Sequence, residues 1–187
     1  MKYEFTGKTK IVNGRTLRQI RALITIHGVV NSGECGGWVE SEQNLSQVYG
    51  NAWVSGNAQV YGNARVHGNT QVYGNARVYG NAWVSGDAQV SGDAQVSGDA
   101  CVYGNAEVKN RNDICTFSGF GSEYRTTTAF TDEKLGVRII CGCFSGPLNE
   151  FRAQIIKKHG QDSKHGRLYL SMANMIEYRL TDNYVGG

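Results

Sequence analysis

The chain has 187 residues, 19 Lys and Arg against 16 Asp and Glu, and a net charge of +3. That length suffices for one elongated repeat domain and one small globular module. So slight a basic excess argues against a nonspecific nucleic-acid binder, which gathers Lys and Arg along one face. No apolar run approaches the roughly 18 to 20 residues of a membrane span, so no membrane partner is expected.

Met1 to Lys10 lacks the apolar core of a signal peptide, and the five cysteines, Cys35, Cys101, Cys115, Cys141 and Cys143, form an odd set. Both observations point to a cytoplasmic protein with reduced thiols. Residues 44–108 carry two basic and four acidic side chains, and the segments on either side hold the remaining positive charge.

Residues 1–43 read as an N-terminal β cap. In "KTKIVNGRTL" the pair Asn13-Gly14 sits between extended stretches and signals a type I′ hairpin. The following "LRQIRALITI" fits a buried strand or one helical face, and its Ile and Thr favour the strand. Gly36-Gly37-Trp38-Val39 is expected to lead into a first coil, with the segment as a whole capping it.

Residues 44–109 are built from a six-residue unit. Val occupies positions 48, 54, 60, 66, 72, 78, 84, 90, 96, 102 and 108, and Ala, or Thr at 70, stands two places before each from 54 onward. Residues two apart on an extended chain share a face, so Ala and Val point the same way. Gly-Asn or Gly-Asp between units tolerates positive φ and turns the chain. A helix would scatter the Val side chains over three sides, since six residues step about 240° around its axis. Isolated hairpins of such short strands bury too little to be stable. Stacked coils bury every unit, each Val lying about 4.8 Å from the next.

Residues 110–187 read as a C-terminal α+β module, the polar "KNRND" ending the hexapeptide pattern and marking the boundary. Two strands, "EYRTTTAF" and "GVRIICGCF", are joined by "TDEKLG". Pro147 starts a helix whose apolar face is Leu148, Phe151, Ile155 and Ile156 and which ends near Gly160. A second helix spans about Gly166 to Tyr178 and uses Leu168, Leu170, Met172, Met175 and Ile176. The apolar supply is limited, so the module is expected to pack on the shaft or on another subunit.

The hexapeptide pattern resembles that of left-handed β-helices, which place three hexapeptides in each triangular coil. That resemblance implies one ladder of Val48, Val66, Val84 and Val102, a second of Val54, Val72, Val90 and Val108, and a third of Val60, Val78 and Val96. It also implies the left hand, where the general crossover rule would give the right. With "GGWVE" and "NLS" before the repeat and "CGCFSGPLNEF" after it, essentially the whole chain resembles a family of uncharacterised β-helical proteins of phages and prophages. The expected fold class is therefore mainly β: a left-handed parallel β-helix with an N-terminal β cap and a small C-terminal α+β module.

Left-handed β-helices of this kind commonly form trimers, which implies a homotrimer here. Trp53, Tyr61, Tyr73, Tyr79 and Trp83 are the outward aromatics that would face neighbouring subunits. Stacking within one chain, Tyr61 on Tyr79, is the alternative of equal weight. The acyltransferases that the shaft resembles use a His base, and His67 is the only His on the repeat. No orienting partner for it is visible, and an outward residue stacked near Tyr49 is the plainer reading. Carbonic anhydrases of similar shape need several His ligands. Cys141 and Cys143 would share one strand face, with Cys115 nearby, yet the C-x-x-C spacing is missing. Core thiols are the favoured reading, with no metal and no cofactor.

The candidate ligand site lies in the tail. "KKHGQDSKHGR" gathers Lys157, Lys158, His159, Lys164, His165 and Arg167 around a helix end and loop. "GFGSEYRTTT" adds the hydroxyls of Ser122, Thr126 and Thr127 and the guanidinium of Arg125 for an anion. A solvated loop and an ordinary hairpin are the plainer readings, since no phosphate-loop signature is present. The expected function is a non-enzymatic phage or prophage binding protein in the host cytoplasm. It would counter host defence by sequestering a small anionic nucleotide-like signal or by blocking a defence protein. The alternatives are a structural spike, fibre or scaffold element, and an acyltransferase.

Overall fold

The computed structural model describes residues 1–181. Ten two-residue strands, one per hexapeptide, stack in parallel on three faces. One face holds β4 (Trp53–Val54), β7 (Gln71–Val72), β10 (Gln89–Val90) and β13 (Glu107–Val108). A second holds β5 (Gln59–Val60), β8 (Arg77–Val78) and β11 (Gln95–Val96), and a third β6 (Arg65–Val66), β9 (Trp83–Val84) and β12 (Cys101–Val102). Val pairs with Val from coil to coil on every face, and Val54 to Val108 and their Ala partners are sealed in one core. Thr70 replaces Ala without cost to the packing because its hydroxyl donates to the His67 carbonyl at 2.8 Å.

The shaft starts earlier than residue 44. In the N-terminal cap, β1 (Tyr3–Val12) and β2 (Arg15–Ala22) form the expected hairpin, with Asn13 at φ 50 and Gly14 at φ 75. Next comes β3 (Cys35–Val39), antiparallel to β2 and parallel to β5, so that Val39 lies beneath Val60. Leu45, not Val48, lies beneath Val66. Val48 is 76% exposed and Tyr49 79%. The chain leaves the first coil after Ser46, whose N–H still donates to the Val66 carbonyl, and Gln47 clamps β1 by accepting from the backbone N–H of Lys2 and Tyr3 and donating to the Tyr3 carbonyl.

Each coil donates its N–H groups to the carbonyls of the coil that follows, as in Trp53 to Thr70 and Gln59 to Ala76. The first coils therefore present unpaired carbonyls at one end and the last coil unpaired N–H groups at the other, and both sets need partners when covered. Asn44, fully buried, donates to the carbonyls of Gly62 and Ala64 at 3.0 and 2.9 Å. The Lys2 ammonium reaches those of Gly50 and Ala52, and burial lowers its pKa. At the far end Thr128 Oγ1 accepts from the Cys101 N–H and Asp113 from that of Lys109.

The C-terminal module is a lid on that far end. It is a four-stranded antiparallel sheet in chain order, β14 (Ile114–Phe120), β15 (Arg125–Asp132), β16 (Gly136–Cys141) and β17 (Phe144–Pro147). Alternation along the strands gives it two buried faces. Ile114, Phe130 and Ile140 close the shaft core. Ala129, Val137 and Ile139 face the helices α1 (Leu148–His159) and α2 (Lys164–Leu180).

Four strands stand where the sequence suggested two. β14 went unread because "ICTFSGF" lacks strong alternation, and "GVRIICGCF" breaks at Gly142 into the β16–β17 hairpin. Cys141 and Cys143 thus flank a turn rather than share a strand face. Helix α2 buries Tyr169, Met172, Ala173 and Ile176, while Met175 faces outward and Leu168 and Leu170 are half-buried. Ile156 on α1 is likewise exposed. No helix among the described residues is long and apolar enough to cross a membrane.

Candidate functional site

The lid contains an open cleft of about 480 Å3 between the β14–β15 loop, the β16–β17 turn and the helices. Helix α1 supplies its floor through Glu150, Phe151, Gln154, Ile155, Lys158 and His159, a spacing that puts all six on one helical stripe. Two glycines let the walls close on that floor. A Cβ at Gly121 would lie 1.9 Å from the Tyr169 hydroxyl of α2, and one at Gly142 3.0 Å from Arg125 Nη1. The loop "GFGSEYR" therefore reaches α2, and Arg125 lies across the turn between the cysteines.

Aromatic rings line the deep side. Phe144 packs on Phe151 with ring centres 5.2 Å apart, and Phe151 meets Tyr169 edge to face at 6.3 Å. His159 stacks on Tyr169 at 5.4 Å and an interplanar angle of 24°. Desolvation, then the charges of Lys158 and His165, holds the His159 pKa below its ordinary value. At neutral pH the ring is thus an uncharged donor and acceptor. The charged rim pairs Arg125 and Lys158 with Glu123 and Glu150, and Glu123 stands 4.0 Å from Arg125. Phe151 and Tyr169 are buried, so the cleft offers a ring chiefly the half-buried Phe144 and His159, with two cations for an anion and carboxylates to accept from hydroxyl or amino groups.

Four of the sequence-proposed ligand residues meet here: Ser122, Arg125, Lys158 and His159. The others do not. Thr127 is buried behind the cleft and donates its hydroxyl to Cys141 Sγ at 3.1 Å, and Thr126 exchanges a hydrogen bond with Ser118. Lys157, Lys164 and Arg167 point to solvent outside the cleft, and His165 approaches only the rim, its ring 6.0 Å from that of His159. Sequence reading missed Phe144, Phe151, Tyr169 and the thiol of Cys143, which is exposed on the turn. The signal available for them was the stripe on α1; the turn at Gly142 hid the rest.

Among the interface candidates, Trp53 and Tyr61 are corrected: they are 2% and 5% exposed. Trp53 lies under the cap, edge-on to Tyr3, and Tyr61 is stacked on Tyr79 at 5.2 Å beneath the hairpin tip, where Asn13 meets its hydroxyl. Tyr73 and Tyr79 are half-buried, their hydroxyls turned to Gln89 and Gln95 of the same chain. Trp83 remains on the surface and is covered on one side by His67, whose ring meets it edge to face at 4.5 Å. His67 Nε2 is out of solvent and has no hydrogen-bond partner among the described residues. It packs against Trp83, not Tyr49.

Residues 58–73 and 70–86 match the protein family described as YdcK Beta solenoid repeat. The shaft is thus a β-solenoid repeat similar to that family's over this stretch. Among curated proteins, no relative matches the chain.

Proposed function

We propose that the chain is a non-enzymatic binding protein, of phage or prophage origin, that sequesters a small anionic molecule carrying a flat ring, a nucleotide-like signal of host defence. The observation that carries the reading is the convergence of Arg125 and Lys158 with Phe144, Phe151 and the stacked pair His159 and Tyr169 in one cleft. The half-buried rings of Phe144 and His159 can stack on a base, and two cations can donate to phosphate oxygens. Glu123 and Glu150 discriminate against ligands of high charge and favour one with amino or hydroxyl donors.

Acyl transfer is less well supported. His67 lies on the shaft, its Nε2 shut against neighbours, whereas a general base must reach the proton it takes. A purely structural role would leave the cleft without purpose.

Native mass spectrometry tests the proposal. The purified protein is measured before and after incubation with a filtered nucleotide extract of phage-challenged, defence-bearing cells. A discrete added mass, released unchanged on denaturation, is the expected result. A chemically altered product would instead indicate an enzyme, and no added mass would shift the reading to a protein target or a structural role.

A further inference from the structure

A second, polar groove of about 260 Å3 runs along the shaft, formed by β5, β8 and β11 and the adjoining corner. Its floor is Gln59, Arg77 and Gln95, neighbours on successive coils and hence about 4.8 Å apart. Asn75 and Asp93 make one wall, joined by an Asn75 Nδ2 to Asp93 Oδ1 hydrogen bond of 3.4 Å. Arg111 follows Asp93 by one coil's length of 18 residues and closes the lid end.

Three features ask for a ligand. The guanidinium groups of Arg77 and Arg111 make no ion pair or side-chain hydrogen bond with any described residue. Gln59 Oε1 is sealed from solvent and accepts no hydrogen bond, so turning this carboxamide toward a donor in the groove would satisfy it. Apart from Arg111, which lies in the short helical turn after the last coil, these groups stand on a stacked backbone, where side-chain positions repeat with the coil and little ordering is needed on binding.

We infer that this groove binds an extended, hydroxyl-rich chain bearing acidic groups, an acidic oligosaccharide. Arg77 and Arg111 would take its carboxylates, the planar fork of each matching a carboxylate edge. The carboxamides of Gln59 and Gln95 and the carboxylate of Asp93 would take its hydroxyls, on rungs spaced close to the length of one pyranose ring. A nucleic-acid strand fits less well, since none of the lining residues is an aromatic platform for bases. The inference is independent of the cleft in the lid.

Isothermal titration of the intact chain with tetragalacturonate, maltotetraose and tetrathymidylate decides it. The expected result is binding of tetragalacturonate, at least tenfold weaker binding of the neutral maltotetraose, and no binding of tetrathymidylate. Arg77→Gln and the more exposed Arg111→Gln should each weaken the acidic saccharide at least tenfold with an unchanged urea midpoint, while Lys158→Ala leaves it untouched. No binding of tetragalacturonate, a preference for tetrathymidylate, or affinity that survives both arginine changes would overturn the inference.

Discussion

Leu45 lies beneath Val66 in the place that the six-residue numbering reserves for Val48. The first coil is therefore closed by a residue of different type and register, and Gln47–Tyr49 are left outside, with Gln47 as the anchor for β1. Leu45 is fully buried and Val48 open to solvent. Leu45→Ala should cost about 2–5 kcal/mol, whereas Val48→Ala should stay within about 0.5 kcal/mol of the parent. Urea unfolding of the two variants separates the registers, and the reverse ranking would restore Val48 to the ladder.

The corners make a second pair. A Cβ at Gly68, φ +71, would lie 2.9 Å from the Gly86 nitrogen of the next coil, while one at Gly98, φ +64, meets nothing within 4 Å. Gly98→Ala should therefore carry only the left-handed backbone cost, about 1–2 kcal/mol. Gly68→Ala should cost more, because it also forces the coils apart. Equal urea midpoints for both would show that the stack yields freely at its corners.

Asp132 stands where the lid meets the shaft, its backbone bridged to Ala106, and braces the lid from within: its buried carboxylate meets Arg138 Nε at 2.7 Å and accepts from the N–H groups of Lys134 and Leu135. Burial alone would raise its pKa; the Arg138 hydrogen bond and the backbone donors outweigh it and hold the carboxyl below its ordinary 3.8. A depressed folded-state pKa contributes stability that is present above the unfolded value and lost as pH falls through the folded one. This brace within the lid should thus be fully formed at neutral pH and weaken as the medium is taken below about 3.8. Asp132→Ala should cost about 3–5 kcal/mol near neutrality by stranding Arg138. Urea midpoints measured from pH 6 down to about 3 should fall less steeply for Asp132→Asn than for the parent; parallel curves would remove Asp132 as the brace.

The shaft was legible because its signal is local and repeated. Val, Ala and Gly-Asn each fix a face or a corner within six residues; which Val stacks on which followed from the resemblance to left-handed β-helices, with three hexapeptides to a coil. The first coil was not, since Leu45 and Val39 close it by tertiary pairing and the numbering of the repeat points to Val48. In the lid, Pro147 and the α1 stripe marked the first helix. The cleft was only half visible: Arg125 and Lys158 are charged and conspicuous, whereas Phe144 and Tyr169 read as core until the Gly142 turn and the approach of Gly121 to α2 bring them to one side.

If the cleft holds an anion, the two cations at its rim should matter and their neighbours outside it should not. A charge-assisted hydrogen bond contributes roughly 1.5–3 kcal/mol, so Arg125→Ala and Lys158→Ala should each weaken ligand capture about 10- to 100-fold. Lys164→Ala and Arg167→Ala should change it less than about threefold. Titration of the four variants with the captured ligand checks the ranking, and a uniform loss would indicate long-range charge attraction in place of a defined site.

The most direct test of the cleft uses its own thiol. Cys143 is exposed on the cleft's rim and Cys35 is exposed on the N-terminal cap, so one chain carries both a reporter and a control. The rates of iodoacetamide labelling at the two cysteines are followed by peptide mass spectrometry, with and without the nucleotide extract. The account predicts that the extract slows Cys143 at least fivefold and leaves Cys35 unchanged. Unchanged labelling at Cys143 in a sample whose native mass shows bound ligand would contradict it and place the ligand elsewhere.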